Sequence, residues 1–137
     1  MPKRWKAEGK GNGERVKKGE SSSMLKAKMK ILFVCSMNIN RSRTAEDIFR
    51  ERFETKSAGL YNPFPVTKEE IWWADLVMVM EDVHKDEIAK RFPQLYSQKK
   101  VISLGIPDFY NYMQPELVNI LEARVNSLNI YDGNKNR

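Results

Sequence analysis

Four short segments of the chain have the pattern of β-strands. They are KILFVC at 30–35, TKSAGL at 55–60, DLVMVM at 75–80 and KVISL at 100–104. The first and third are nearly continuous apolar runs, which is typical of strands that are buried on both faces of a parallel sheet.

Helical patterns separate these strands. Ser42 is predicted to be the N-cap of a helix over 43–53, in which apolar residues recur at helical spacing. Thr67 and Glu70 form a capping-box pattern that opens a short helix ending near Ala74. A third helix covers 82–92, where Pro93 is expected to stop it.

The last helix is predicted over 116–128, with Pro115 at its first position. The order of elements is therefore β-α repeated four times. This order predicts an α/β fold, a three-layer sandwich with a central four-stranded parallel sheet. Ligands of such sheets bind beyond the carboxyl ends of the strands. Cys35 ends the first strand and Asp108 follows the fourth, so both are expected at that edge.

The basic character of the chain is concentrated in its N-terminal part. The 137 residues carry a net charge of +6, and residues 1–30 contain ten Lys/Arg against three Asp/Glu. Residues 1–29 are predicted to be a basic disordered extension, 30–130 a single α/β domain and 131–137 a polar C-terminal tail. The extension could contact nucleic acid or an acidic membrane, but a solvated segment without such a role is the simpler interpretation.

Composition also excludes several classes of protein. No apolar run approaches the roughly 18 residues of a membrane span, and the basic N-terminus lacks the apolar region of a secretory signal. A single cysteine cannot form an internal disulfide, and no residues have zinc-ligand spacing. We therefore expect a cytoplasmic protein without a metal or cofactor, whose near-neutral core binds neither nucleic acid nor membrane.

The chemistry of the first loop is more specific. Five residues, SMNIN, separate Cys35 from Arg41, and a helix then begins. A loop that runs from a strand into a helix N-terminus presents backbone N–H groups to an anion and stabilises a nearby thiolate. A guanidinium can also hold two phosphate oxygens at once. These groups together are suited to nucleophilic attack on a phosphate monoester.

The pattern C-x5-R-S at 35–42, within ILFVCSMNINRSRTAE, resembles the signature of the low-molecular-weight protein tyrosine phosphatases. The similarity continues through SAGL, WADLVMVME and IPDFYNYM, and so covers residues 30 to about 128 in order. It is similar to the short microbial branch of that family. The resemblance implies a phosphatase fold and hydrolysis of phosphorylated protein or of a small phosphate ester.

The resemblance also implies roles for individual residues. Cys35 would be the nucleophile that forms a phosphocysteine, Arg41 would bind the phosphoryl group, and Ser42 would donate a hydrogen bond to the thiolate. Asp108 would be the general acid and base. The phosphate-binding loop would comprise Ser36, Met37, Asn38, Ile39, Asn40 and Arg41, with Asn38 holding its strained shape, and Tyr110 would line the substrate pocket.

The sequence departs from the family pattern at four positions. Asn40 replaces the second loop cysteine of many relatives, so a reversible disulfide with Cys35 is not possible. Met37 replaces a common glycine, and Arg43 stands where proline usually follows the Arg-Ser pair. Pro107 precedes Asp108, whereas in the family the proline follows the acid.

Each candidate residue also has a simpler interpretation. Cys35 could be a small buried apolar residue, Asp108 a turn residue and Tyr110 a packing aromatic. His84, the only histidine, is predicted to be a solvated helix residue.

Three other functions remain open at this stage. The chain could be a cysteine phosphocarrier, or a phosphate-ester-binding protein without turnover. A thiol-coupled arsenate reductase has little support, because it would need further cysteines.

Overall fold

The computed structural model describes residues 28–130, which form four strands and five helices. The strands are β1 (Lys30–Cys35), β2 (Glu54–Gly59), β3 (Leu76–Val79) and β4 (Lys100–Ser103). The helices are α1 (Arg41–Phe49), α2 (Lys68–Trp73), α3 (Asp82–Arg91), α4 (Pro93–Gln98) and α5 (Pro115–Ser127).

The strands form one parallel sheet in the order β2-β1-β3-β4. In its register Cys35 pairs with Gly59, and Val34 pairs with Val79 on the other side. The strand order reverses at β1, because β2 lies on one side of it and β3 on the other. Ligand sites of open parallel sheets lie at this kind of switch point, and here it coincides with the cysteine.

Alternating residues of the central strands build two separate cores. Ile31, Phe33 and Cys35 of β1 face one core, which α1 and α5 cover with residues that include Phe49 and Leu121. Residues of the opposite parity in β1 and β3 face the second core, under α2, α3 and α4; these are Leu32, Val34, Val77 and Val79. The predicted three-layer α/β sandwich is therefore confirmed.

Most predicted elements are confirmed to within a residue or two, including the capping box of Thr67 and Glu70. The predicted bounds of α1 are wrong: the helix begins at Arg41 with Asn40 in the N-cap position, Ser42 lies inside its first turn, and the helix ends at Phe49 rather than at residue 53. Pro93 does end α3, but it also begins the additional short helix α4, in which proline occupies the first turn.

The structure bears only partly on the predicted termini. Of the predicted extension only Lys28 and Met29 are described, and Met29 packs against the core on the α1 side. The rest of the extension and the predicted polar tail at 131–137 lie outside the described residues. Within 28–130, no helix has the length and apolar character needed to cross a membrane.

Candidate active site

The segment from Cys35 to Arg41 forms a tight loop at the carboxyl end of β1. On one side the loop is fixed to the chain that continues from β2. The Leu60 N–H donates to the carbonyl oxygens of Cys35 at 3.1 Å and Ser36 at 2.9 Å, and the Tyr61 N–H donates to Ser36 at 2.9 Å. The first residues after the strand are therefore held as an extension of the sheet.

Gly59 allows this close approach of the loop. A Cβ atom at Gly59 would lie 2.9 Å from the Met37 carbonyl carbon and 3.0 Å from the Asn38 nitrogen. It would also lie 2.6 Å from Oδ1 of Asn62. Only glycine fits here without displacing the backbone of the loop.

Asn38 makes the reversal of chain direction in the loop. Its φ of 57° lies in the left-handed region, which asparagine tolerates better than most residues. In this conformation its backbone N–H points back and donates to Cys35 Sγ at 3.2 Å. The strained residue thus directs a backbone donor at the sulfur atom.

Ser42 connects the thiol to the Asn38 side chain. Its Oγ lies 2.9 Å from Cys35 Sγ and 2.7 Å from Asn38 Oδ1. Because Ser42 is fully buried in the first turn of α1, its hydroxyl cannot turn toward solvent. In this geometry the single hydroxyl proton is donated to Asn38 Oδ1, so the hydroxyl has to turn from Asn38 to the sulfur before it can donate to a thiolate. The role that the resemblance implied for Ser42 is therefore geometrically possible.

A cavity of about 100 Å³ opens above the thiol. Its walls are formed by Cys35, Ser36, Met37, Ile39, Asn40, Arg41 and Asp108. Within residues 28–130, the backbone N–H groups of Met37, Ile39 and Asn40 donate to no other backbone or side-chain group. Such unpaired N–H groups around a small cavity form an anion site.

Arg41 closes one side of this cavity with a guanidinium that is only 2% exposed. Its Nη1 donates to the Glu81 carboxylate and, at 2.7 Å, to the carbonyl oxygen of Ile106. Two partners on one nitrogen fix the plane of the guanidinium. The other nitrogens remain available for an anion, and Nε lies 3.6 Å from Asp108 Oδ1.

Asp108 reaches the site from the loop after β4, and its side chain is 63% exposed. Two hydrogen bonds tie the end of this loop to α1. The Tyr112 N–H donates to Asn40 Oδ1 at 3.0 Å, and the Met113 N–H donates to Thr44 Oγ1 at 2.9 Å. Asn40 therefore anchors the loop that bears Asp108.

Tyr110 is not among the residues that line the cavity. Its side chain is partly buried against the core on the α1 side, and its ring lies 6.3 Å from that of Phe109. Phe109 itself is largely exposed. The structure therefore brings together all the predicted catalytic and loop residues, and leaves Tyr110 outside the wall of the cavity.

The expectation for His84 is wrong. The ring is 1% exposed, and its Nε2 lies 2.9 Å from Ser36 Oγ beside the nucleophile. Burial and, next, the Arg41 guanidinium lower its pKa below the ordinary 6.5, against the opposing effect of Glu81 and Asp108.

Sequence reasoning thus missed two residues of the site, His84 and Glu81. A signal was present: both follow β3, and β3 pairs with β1 at the same edge of the sheet. Residues directly after a strand next to the strand that bears Cys35 are expected near the ligand.

Among the described residues, no group of three or more His, Cys, Asp or Glu is placed to hold a metal ion.

Comparison with solved structures finds several phosphatases with the same fold. The YwlE arginine phosphatase from Geobacillus stearothermophilus is 23% identical, with a TM-score of 0.58 over 74% of this chain and 93% of that chain. A mutant of YwlE arginine phosphatase with a phosphorylated active-site serine is 24% identical, with a TM-score of 0.58 over 74% of this chain and 96% of that chain.

The tyrosine phosphatase Wzb from Escherichia coli K30, in complex with phosphate, is 22% identical. Its TM-score is 0.59 over 72% of this chain and 94% of that chain. No family model and no curated protein matches the sequence. The resemblance to the low-molecular-weight protein tyrosine phosphatases is confirmed by these structures, and the chain has their fold. At these identities the likeness establishes the fold, and the chemistry has to be argued from the site.

Proposed function

We propose that the protein hydrolyses phosphate monoesters through a phosphocysteine intermediate on Cys35. The observation that carries this proposal is the set of hydrogen-bonding groups around one sulfur atom. Ser42 Oγ and the Asn38 N–H lie 2.9 Å and 3.2 Å from Sγ, and the Arg41 guanidinium lines the same anion-sized cavity. A thiol that only packs in a core would need none of these partners.

In the first step the Cys35 thiolate attacks phosphorus, so that an S–P bond forms and the P–O bond to the leaving group breaks. Asp108 gives its proton to the leaving oxygen. In the second step Asp108 takes a proton from water, the water oxygen attacks phosphorus, and the S–P bond breaks to release inorganic phosphate and the thiolate. Arg41 and the loop N–H groups hold the phosphoryl oxygens throughout.

The mouth of the cavity favours an aromatic leaving group. Met37 and Ile39 line it and are 44% and 57% exposed, and the largely exposed Phe109 follows the acid. These side chains can pack against a flat ring. We therefore propose phosphotyrosine in a protein as the substrate class, acted on in the cytoplasm, where a single unpaired thiol stays reduced.

A second candidate substrate is protein phosphoarginine. It is favoured by the structural likeness to the YwlE arginine phosphatase from Geobacillus stearothermophilus. Turnover of a phosphotyrosine peptide and a phosphoarginine peptide of the same sequence would separate the two. We expect the phosphotyrosine peptide to have the higher kcat/KM, and the reverse order would assign the arginine substrate.

The central test is hydrolysis of an aryl phosphate near pH 6 in the presence of a chelator, by the wild type and by Cys35→Ser. We expect turnover by the wild type and none by the variant, whose fold is checked by circular dichroism. A folded, reduced wild type without turnover would contradict the proposal. Labelling of Cys35 by a phosphodonor protein would then indicate a phosphocarrier, and phosphate-ester binding alone would indicate a binding protein.

The acid role of Asp108 has a separate test. We expect Asp108→Ala to slow hydrolysis of alkyl phosphates far more than of p-nitrophenyl phosphate, because a good leaving group needs little protonation. Asp86→Ala, at an exposed position of α3, is the matched control. Equal losses on good and poor leaving groups would assign Asp108 a role other than proton transfer.

A further inference from the structure

Ser36 and His84 form a side-chain pair beside the nucleophile that the hydrolytic steps above do not use. Ser36 follows Cys35 directly and lines the cavity. His84 comes from the first turn of α3 and is buried, with Nε2 2.9 Å from Ser36 Oγ. This contact between a buried imidazole and a residue of the cavity wall suggests a role in the site.

The position of the imidazole proton follows from the other ring nitrogen. The Glu81 backbone N–H lies 3.0 Å from His84 Nδ1 and can only donate. Nδ1 must therefore be the acceptor, and in the neutral ring the proton is on Nε2. Burial and, next, Arg41 lower the pKa of the ring, which favours its neutral form, while Glu81 and Asp108 act in the opposite direction.

The direction of the Ser36 hydroxyl follows in turn. Because His84 Nε2–H donates to Ser36 Oγ, the serine proton must be donated to another atom. Among residues 28–130 the Ser36 hydroxyl makes no hydrogen bond other than the one with His84, and Ser36 is one of the residues that line the cavity. The backbone of Ser36 is fixed through its carbonyl oxygen to Leu60 and Tyr61, and its Oγ is held by the hydrogen bond from His84.

We propose that the Ser36 hydroxyl is a donor to the bound phosphoryl group, and that His84 is the positioning residue that directs it there. This inference rests on the proposed function only in that the cavity takes a phosphoryl group. It adds a side-chain donor to the backbone donors of the loop, supplied by a residue pair that spans β1 and α3.

The test is the dissociation constant of inorganic phosphate, measured by calorimetry for the wild type, Ser36→Ala, His84→Asn and the double variant. Ser36→Ala should weaken binding about tenfold, because one hydrogen bond to an anion is lost. Asparagine Oδ1 is as far along the side chain as His84 Nδ1. His84→Asn therefore keeps an acceptor for the Glu81 N–H but cannot reach Ser36.

His84→Asn should also weaken phosphate binding in the wild-type background and should have no further effect when Ser36 is already alanine. Ser36→Thr, which keeps a hydroxyl, should restore most of the affinity. Unchanged affinity in Ser36→Ala would overturn the proposal, and so would equal effects of His84→Asn in both backgrounds. Ser36→Ala carries the test alone if His84→Asn does not fold.

A spectroscopic measurement checks the proton position directly. His84 is the only histidine of the chain, so its ¹⁵N signals are unambiguous. We expect a neutral ring with the proton on Nε2, and a proton on Nδ1 would overturn the assignment. Phosphate binding that depends on Ser36 in a protein without turnover would refute the proposed hydrolysis and leave this inference intact. Turnover with no dependence of phosphate binding on Ser36 would do the opposite.

Discussion

Arg41 is a buried charge that is paired within the protein with the Glu81 carboxylate. Its Nη1 is shared between the Glu81 carboxylate and the Ile106 carbonyl oxygen, so only the rest of the planar group faces the cavity. A lysine would carry the same charge on one nitrogen. It could not hold both partners and two phosphoryl oxygens at the same time.

We expect Arg41→Lys to lower kcat about 10²- to 10³-fold, because a donor to the transition state is lost from a preorganised site. Steady-state kinetics on an aryl phosphate measure this loss. Arg43→Lys is the matched control, since Arg43 is exposed two residues further along α1. A variant with nearly wild-type kcat would show that charge alone is sufficient at this position.

Single residues also show how far sequence reasoning reaches. Cys35, Arg41 and Ser42 were predictable because they lie within one loop, where spacing along the chain decides what they contact. His84 and Glu81 lie 48 and 40 residues from their partners Ser36 and Arg41, so only their position directly after β3, and not their spacing along the chain, could have indicated these contacts. Helical spacing indicates which residues of α3 share a face, but it does not indicate that this face contacts the loop after β1.

At the level of elements, the site depends on the contact between the end of β2 and the loop after β1. Gly59 provides the space for this contact. The hydrogen bonds inside the loop explain why the predicted start of α1 is wrong. A sequence rule places serine at the N-cap, but here Ser42 is held by Cys35 and Asn38, and the helix begins where the loop closes.

We expect Gly59→Ala to lower stability by about 1–3 kcal/mol, because the new methyl group overlaps backbone atoms of the loop. We also expect kcat/KM to fall, on the order of tenfold or more, since the loop positions Cys35. Urea unfolding and aryl phosphate kinetics give the two values. Glu54→Ala, exposed at the other end of β2, should change neither. An active, destabilised Gly59→Ala protein would show that the loop adapts.

Across the whole molecule, stability depends on pH through groups that folding perturbs. The pKa of His84 is lowered from 6.5, so the unfolded chain takes up a proton on this ring at a higher pH than the folded protein does. Its contribution to stability is therefore complete above pH 6.5 and is lost as the pH falls through the lowered pKa. The pKa of Asp47 is also lowered, chiefly by its hydrogen bond from Tyr112. Its contribution to stability is likewise lost as the pH falls, but at a lower pH than that of His84.

We expect the free energy of unfolding in urea to decrease from pH 7.5 to pH 5.5. His84→Asn should flatten this dependence, because no other histidine is present in the chain. The comparison uses slopes with pH, so a constant loss of stability in the variant does not affect it. An equally steep decrease in both proteins would assign the effect to other groups.

The anchoring of the loop on the sheet has a consequence for amide hydrogen exchange. The Leu60 and Tyr61 amides are bonded to the carbonyl oxygens of Cys35 and Ser36, so they should exchange slowly whether or not the cavity is filled. The Met37, Ile39 and Asn40 amides donate to nothing else in residues 28–130 and should exchange quickly until an anion binds. Bound phosphate should therefore slow the exchange of the Met37, Ile39 and Asn40 amides, while the exchange of the Leu60 and Tyr61 amides stays slow with or without phosphate.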